Sequence, residues 1–593
     1  MRRLILPAAV AVIAVTLVLA GWVIVSPGWA VGFLSQQVAQ QLGRKLDVKG
    51  GAALEFTPRL AIRLDHASLS NPSDMDGSFI TARAVRVPVR VSDLFTRNPD
   101  LSVIELEGAE IALLINERSE TSWAFPAVKT PAPLSLELTG SSMRFFDARS
   151  SQAFSLAGAR MTMNIGVEGD VTAKGTADMG GRLAKIDAAL KSLSRIQEDG
   201  SPLDLSIEVP DGTASFTGRL SSTGVLNLAG PVTLSSPDLR AVARWAGLEI
   251  EQGGAATGIA VAGALESAGR AFAIRHADVR YGNTHAQGDI VLDLRNTLPK
   301  LQAILRSDRL PLDQFIPDGG AKPGTWGTRP IDLHILKAFD TDITVDANMV
   351  STGETEMGPA RVTAATDGGK FRSTLSVPAP GTGSLSLEAA IDASAVPPVF
   401  ELSIRGKDVD VQAFLPAIVQ VPWFTGHGDV NVALSGTGHT QLEIIGTLTG
   451  SILLSLADGE ISGPDLGVML GQVSQRIVEG WTDAKGAGRT TYKIIGAEAK
   501  VADGIATVSD ARVETDGLSL SVNGSIDLLR RALGLSVVPK IIDASGSATS
   551  LPVPVIVKGP WDRPRLYPDL PDVLAKPKAA FESLKAMGLP AAN

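Results

Sequence analysis

The sequence has no cysteine among its 593 residues. This absence excludes a disulfide framework, thiolate zinc sites, iron–sulfur clusters and a cysteine nucleophile. It leaves an oxidising compartment open, because a large exported protein can do without disulfides. Aromatic residues are also scarce, at 5% of the chain, although hydrophobic residues make up 44%. The apolar surfaces of this protein must therefore be built mainly from Ala, Val, Leu and Ile.

Positive charge is in deficit, because 54 Lys and Arg face 63 Asp and Glu, for a net charge of -9. We therefore expect no nucleic-acid partner. The sequence also lacks a Gly-x-Ser-x-Gly elbow, a Walker loop and a His-Glu-x-x-His motif. The six histidines have no metal-ligand spacing and are His66, His276, His285, His334, His427 and His439. We expect no catalytic residue, no metal site and no cofactor, so the protein is not predicted to be an enzyme.

The longest apolar run lies at the N-terminus, from Leu4 to Val25, directly after two arginines. As a helix these residues span about 33 Å, enough for the hydrocarbon core of a bilayer. The arginines place the N-terminus in the cytoplasm and the rest of the chain outside. We predict an uncleaved single-pass anchor, with a signal peptide cleaved after Ala20 as the alternative. Representative anchor residues are Leu4, Ile13, Leu17 and Val25.

From Asp47 onward, apolar residues alternate with polar ones in short runs. Gly, Pro, Asn, Asp or Ser separates one run from the next. This period of two is typical of antiparallel strands with one apolar and one polar face. Examples are Leu60-Ile62-Leu64, Val85-Val87-Val89-Val91, Ile111-Leu113-Ile115, Leu134-Leu136-Leu138, Leu203-Leu205-Ile207-Val209 and Val430-Val432-Leu434.

Helical spacing is rare. It is found at residues 31–42 before Gly43, and again at 239–246, 464–481 and 578–587. The predicted fold is therefore mainly β, an elongated, curved antiparallel sheet of the repeating β-groove type. It carries a few short helices and one N-terminal transmembrane helix.

Two linkers rich in Pro and Gly, residues 126–133 and 316–326, divide the exported part of the chain. The predicted segments are the anchor 1–30, a first β unit 31–126, a middle β unit 131–316, a C-terminal β domain 326–572 and a helical tail 573–593.

Several segments resemble the AsmA family of bacterial envelope proteins. The segments similar to its N-terminal part are Gly43-Arg44-Lys45-Leu46, Thr57-Pro58-Arg59-Leu60, Asn71-Pro72, Asp93-Leu94-Phe95 and Ser122-Trp123-Ala124-Phe125. Those similar to its later parts are Val409 to Leu415, Asp458-Gly459-Glu460-Ile461, Gly524 to Leu528, Leu551 to Val555 and Gly559-Pro560-Trp561. The resemblance covers most of the chain and is weakest from about 140 to 300.

The resemblance implies an inner-membrane anchor, a periplasmic β-body and a part in outer-membrane lipid homeostasis. Its larger relatives are thought to carry phospholipids along an apolar groove. Such a groove is physically reasonable here, because few helices are predicted to cover the apolar face of the sheet. The expected ligands are phospholipid acyl chains, and the candidate groove residues in the first unit are Ile62, Leu64, Val87, Val89, Leu113 and Leu136. Closed β-sandwiches filled by their own side chains are the structural alternative.

The leading functional hypothesis is phospholipid transfer in outer-membrane biogenesis by a single-pass inner-membrane protein with its bulk in the periplasm. The main alternative is a non-transporting envelope scaffold or regulator of outer-membrane protein assembly, with envelope assembly proteins as partners. A periplasmic enzyme acting on envelope glycans is a third hypothesis.

Overall fold

The computed structural model confirms a mainly β protein with few short helices. It describes residues 28–57, 59–96, 99–123, 133–222, 225–238, 257–315, 325–352, 355–378, 383–410, 425–462, 489–542, 548–550, 554–561 and 565–569. Of these residues, 66% lie in strands and 8% in helices. No helix in these ranges is long and apolar enough to cross a bilayer. The predicted anchor 4–25, the predicted helices 239–246, 464–481 and 578–587, and the tail 573–593 lie outside them.

The α-helices of the described residues are α1 (Gly28–Leu42), α2 (Val91–Thr96), α3 (Ile335–Ala338) and α4 (Gln441–Gly446). Short 3₁₀ turns cover Ser194–Gln197 and Leu312–Phe315. The helix predicted at 31–42 corresponds to α1. It ends where Gly43 adopts φ +62°, a left-handed conformation that costs glycine little. α4 begins after Thr440, whose side chain accepts a hydrogen bond from the N–H of Glu443 at 3.1 Å.

The strands are numbered along the chain. The first fifteen are β1 (Leu46–Val48), β2 (Ala52–Glu55), β3 (Ala61–Ser70), β4 (Ser78–Pro88), β5 (Val103–Ile115), β6 (Leu134–Asp147), β7 (Gln152–Ile165), β8 (Val171–Asp178), β9 (Leu183–Leu190), β10 (Ser201–Val209), β11 (Gly212–Ser221), β12 (Asn227–Ser236), β13 (Ile259–Ala268), β14 (Ala271–Tyr281) and β15 (Thr284–Asp293).

The remaining strands are β16 (Lys300–Pro311), β17 (Asp340–Thr352), β18 (Thr355–Met357), β19 (Ala360–Asp367), β20 (Lys370–Pro378), β21 (Ser384–Asp392), β22 (Val399–Asp410), β23 (His427–Thr437), β24 (Thr449–Ser462), β25 (Arg489–Ala502), β26 (Ile505–Glu514), β27 (Leu518–Asp527), β28 (Ala532–Ile542), β29 (Ala548–Ser550), β30 (Val555–Pro560) and β31 (Arg565–Pro568).

The chain forms two compact units. Unit 1 consists of residues 1–248, 256–279 and 291–295, and unit 2 of residues 249–255, 280–290 and 296–593.

Unit 1 is built by antiparallel neighbours and one parallel pair. β3 pairs with β1 and β2 along one side and with β4 along the other. β4 pairs with β5, and from β6 to β13 each strand is antiparallel to the next. β5 and β6 are instead parallel, and residues 116–133 connect them. The predicted linker 126–133 lies in this connection, so strands before and after it share a ladder.

Unit 2 repeats this plan. β16 and β17 are parallel, and the predicted linker 316–326 lies in the connection between them. β17 then pairs with β19, and antiparallel pairing continues strand by strand from β19 to β28. β28 pairs with β30, which pairs with β31. The domain boundaries predicted from the sequence stay predictions.

Left-handed residues inside strands keep the apolar face continuous. In β5, Leu106, Ala109 and Ile111 are buried in one cluster, although an odd spacing separates the first two. Gly108 lies between them with φ +58°, and the apolar face changes its alternation there while the register with β4 stays unchanged. His66 has the same effect in β3 with φ +53°. The strict two-residue period of the sequence therefore fails at these points while the face itself continues.

Candidate functional site

A row of apolar residues crosses unit 2 from strand to strand, and we call it the unit 2 row. Residues directly opposite each other in a ladder project from the same face of a sheet, so the register identifies the row. It contains Leu305, Val345, Val362, Leu375, Leu387, Ile404, Val432, Ile452, Ala499, Val508, Gly524, Leu535 and Val557. No polar side chain interrupts it.

A second row lies two residues away on the same face. It contains Val377, Leu385, Gly406, Val430, Leu454, Ala497, Ala511, Val522, Val537 and Val555. The opposite face is charged, as shown by the exposed cross-strand ion pair between Arg361 and Asp346 at 2.6 Å. Unit 2 therefore has one broad aliphatic face and one polar face.

Burial along the unit 2 row is uneven. Leu375 and Ile404 are buried, and they belong to a cluster that runs through many strands. Val362, Val432 and Leu535 are only half-buried. The described residues therefore leave part of this aliphatic face accessible, as a surface that receives an apolar ligand requires.

Unit 1 carries a corresponding row, the unit 1 row. It contains Ala52, Leu64, Val85, Leu106, Leu138, Met161, Gly175, Ile186, Ile207, Ala214, Leu234 and Val261. Burial decreases along the row, because Leu64 is 2% exposed whereas Ile207, Leu234 and Val261 are half-buried. The two ends of the row thus differ in accessibility.

The first end of the unit 1 row is closed by α1. Four of the six predicted groove residues, namely Ile62, Leu64, Val87 and Val89, are buried in one cluster with Ala30 and Leu34 of that helix. They do not line an accessible trough, which corrects the expectation from the sequence. The physical reason is that an amphipathic helix directly preceding a sheet buries its own apolar stripe on the nearest apolar face.

The other two predicted groove residues lie elsewhere. Leu136 is half-buried and pairs with Ile104 and Met163, beside the unit 1 row. Leu113 is half-buried opposite Phe145. The structure therefore brings Leu136 close to the accessible part of the face and groups the other four beneath α1.

Sequence reasoning missed the more accessible residues, because its candidates came only from the first strands. β10 shows them best, since Leu203, Leu205, Ile207 and Val209 are all half-buried and alternate with exposed residues. The two-residue period that signals these positions is plain in the sequence. What the sequence lacks is any sign of which apolar faces a helix covers.

A buried arginine fixes the position of α1. Arg44 is 3% exposed, and its guanidinium donates to the carbonyl oxygens of Ser70 at 3.0 Å and Ser122 at 2.8 Å. The same group lies 5.4 Å from the ring centroid of Phe79. Burial lowers the pKa of Arg44 from its usual value. These contacts tie the chain after α1 to the ends of β3 and β5.

A buried ion pair joins turns that are far apart in sequence. Arg149 donates from Nε and Nη2 to the two carboxylate oxygens of Asp147 at 2.9 and 2.7 Å. It also donates to Oγ of Ser119 at 3.1 Å and to the carbonyl oxygen of Ser222 at 3.2 Å. Burial raises the pKa of Asp147, but the hydrogen bonds from Arg149 outweigh this effect and hold that pKa below its usual value. The pair clamps the end of β6 to the end of β11.

One strand-end edge of unit 2 is covered by residues 325–339. Trp326 donates from Nε1 to the carbonyl oxygen of Leu528 at 2.9 Å. The guanidinium of Arg531 lies 5.4 Å from the Trp326 ring and 4.8 Å from the Trp561 ring. This segment lies along the turns that follow β23 and β27, and it closes that edge of the aliphatic face.

The pKa of one described tyrosine is strongly raised, and its surroundings are structural. Tyr492 is buried and donates its hydroxyl to the carbonyl oxygen of Thr425. Burial, with a smaller contribution from Asp458, raises its pKa to about 12. Tyr492 therefore stays protonated and acts as a hydrogen-bond donor. Within the described ranges, no three His, Cys, Asp or Glu side chains are grouped so as to hold a metal ion.

Comparison with known proteins identifies one family. The sequence model of the AsmA family matches residues 2–132 and 380–511. The first range includes α1 and β1 to β5, and the second includes β21 to β25 and most of β26. No curated protein and no solved structure matches the chain.

Proposed function

Because the chain belongs to the AsmA family, which indicates a function connected with the bacterial envelope and its outer membrane, we propose that it binds phospholipids on its aliphatic faces and transfers them. In this proposal, Leu4 to Val25 anchor the protein in the inner membrane and the two units lie in the periplasm. The role is transport and requires no catalytic residue.

The observation that carries the proposal is the unit 2 row. It follows the sheet through thirteen strands without a polar residue, a path of about 60 Å along the sheet at roughly 4.8 Å per strand. Transferring an acyl chain from water to such a face gains about 0.8 kcal/mol per CH₂. Polar headgroups would stay at the strand ends, where water is accessible.

Low aromatic content supports the same role. Side chains such as Val432 and Ile452 are medium-sized and half-buried, so they leave lipid-accessible surface instead of filling the space with large rings. A face made of aliphatic carbons has no hydrogen-bonding preference, so an acyl chain can slide along it without breaking a polar contact.

A photo-crosslinking residue tests lipid binding directly. Placed at Val432, on the aliphatic face, it should form adducts with phospholipids in cells. At Ala433 it should not, because neighbouring residues of a strand project from opposite faces and Ala433 is exposed on the polar one. The adducts are identified by mass spectrometry after purification. If neither position captures lipid while both variants capture envelope proteins, the non-transporting scaffold is the correct function.

The proposed anchor makes a separate prediction. If Leu4 to Val25 remain in the mature protein, N-terminal sequencing of protein purified from membranes should begin at the initial residues, and alkaline carbonate should leave the protein in the membrane pellet. A mature N-terminus at Gly21 would show that the segment is a cleaved signal peptide.

A further inference from the structure

The direction of α1 places its first turn at a definite end of unit 1. Just after its C-terminus, Arg44 donates to the carbonyl of Ser70, the last residue of β3. The helix contacts β1, which pairs with the Ser70 end of β3, and also β2, which pairs with the other end of β3. Val89 follows β4, and its N–H donates to the carbonyl of Leu60, which precedes β3, at 2.9 Å. The helix of 15 residues is about 22 Å long, so its first turn lies at the end of β3 opposite Ser70.

Two loops at this end expose apolar side chains, and we call them the docking loops. They join β2 to β3 (residues 56–60) and β4 to β5 (residues 89–102). Among their described residues, Phe56 is 59% exposed and Val91 is 62% exposed. A single exposed apolar side chain is ordinary on a protein surface, so what distinguishes these two is that both lie at the end of unit 1 where α1 begins.

Arginines accompany these apolar residues. Arg59 and Arg90 are exposed in the same loops, and an arginine can place its stem on an apolar surface while its head contacts phosphate. Asp93 and Asp100 offset much of this positive charge, and their carboxylates accept hydrogen bonds from the backbone N–H groups of Arg90 and Ser102 at 2.9 and 3.0 Å. We therefore expect apolar contact, not net charge, to dominate binding by the docking loops.

The residues that precede α1 in the sequence indicate what covers this surface. The predicted spanning segment ends at Val25, and three residues reach at most about 11 Å to Gly28. We infer that the docking loops rest on the inner-membrane bilayer beside the anchor, with Phe56 and Val91 at the boundary between headgroups and acyl chains. This inference rests on the proposed anchor. It gives unit 1 a fixed contact with the inner-membrane bilayer.

The absence of native cysteine allows a direct test. The full chain, with a single cysteine at Phe56 or Val91, is labelled with an environment-sensitive fluorophore. It is reconstituted in vesicles of phosphatidylethanolamine and phosphatidylglycerol, with and without nitroxide-labelled headgroups. Met179 is the matched control, because it is an exposed apolar residue in the β8–β9 turn, at the strand ends opposite the docking loops.

We expect the nitroxide to cause a several-fold larger loss of emission at Phe56 and Val91 than at Met179, together with a shift to shorter wavelength. A reporter at Ser92 should lose this quenching in a Phe56→Asp, Val91→Asp double variant. Both substituted residues are exposed, so the fold should persist, which circular dichroism would verify.

Three results would overturn the inference, and they are distinguishable. Protein that fails to float with the vesicles has no anchor, and the premise is lost. Protein that floats but shows equal quenching at all three positions is anchored without docking, and the lipid adducts expected at Val432 remain an independent test of transfer. A loss of emission that increases with protein density and is the same with and without nitroxide would instead identify a contact between two copies of the chain.

Discussion

Leu64→Asp is expected to unfold unit 1, whereas Leu205→Asp should leave it folded. Leu64 is buried beneath α1, and a carboxylate there has no partner within the cluster. Burying an unpaired charge costs several kcal/mol, which is comparable with the whole stability of a domain. Leu205 is half-buried on the same side of the sheet, so an introduced carboxylate can reach water. Thermal unfolding followed by circular dichroism should separate the two variants clearly.

The Leu205→Asp variant also separates an effect on lipid binding from an effect on stability. Leu205→Asp should reduce phospholipid crosslinking from a probe in β10, because a carboxylate repels acyl chains. Ser206→Asp is the matched control, since Ser206 is the next residue and is exposed on the polar face. It should change neither property. Unfolding of the Leu205 variant would mean that this stretch is closed core and would remove the physical basis for transfer.

Arg149→Leu is expected to destabilise unit 1 by about 3–5 kcal/mol, the usual cost of removing one partner of a buried ion pair. The substitution leaves Asp147, which is 0% exposed, without its guanidinium. It also removes the hydrogen bonds that join Ser119 and Ser222 to this pair. Denaturant unfolding of the two proteins at neutral pH measures the difference.

The pH dependence of this loss has a definite sign. The pKa of Asp147 is lowered in the folded protein, so the ion pair stabilises the fold above the unfolded carboxyl pKa of about 4. That stabilisation is lost as the pH falls through the lower folded pKa. The gap between wild type and Arg149→Leu should therefore shrink in acid.

An exposed pair provides the control for Arg149. Lys174 and Asp187 form an ion pair between neighbouring strands, 2.8 Å apart, and both side chains are well exposed. Lys174→Leu should change stability little, because water and salt screen an exposed pair. If both substitutions had equally small effects, the buried pair would not clamp the turns of unit 1.

The sequence predicted the class of structure well, because local physics carries that information. Alternating residues such as Leu203 to Val209 and Val430 to Leu434 identify strands and assign their apolar face. The apolar stripe before Gly43 identifies α1. Resemblance in short motifs also identified the family. None of these features requires knowledge of which strand lies beside which.

The left-handed residues inside strands were not predictable in the same way. His66 and Asp458 adopt φ +53° and +50° although neither is glycine. The interactions of the surrounding ladder offset the energetic cost of that conformation. Where such a residue occurs, the alternation shifts by one, so a period of two assigned from the sequence alone gives the wrong face beyond it.

By itself, the amino-acid sequence determined that this protein is a mainly β chain with aliphatic strand faces, a short amphipathic helix and an apolar N-terminal segment. Only the tertiary structure decided that α1 closes the face over Leu64 while β10 leaves Leu205 half-buried, and that Arg149 meets Ser222. The physical reason is that the side-chain period reports which way a residue faces, which is local. What lies opposite that face depends on pairings and contacts between distant segments, and no local pattern encodes them.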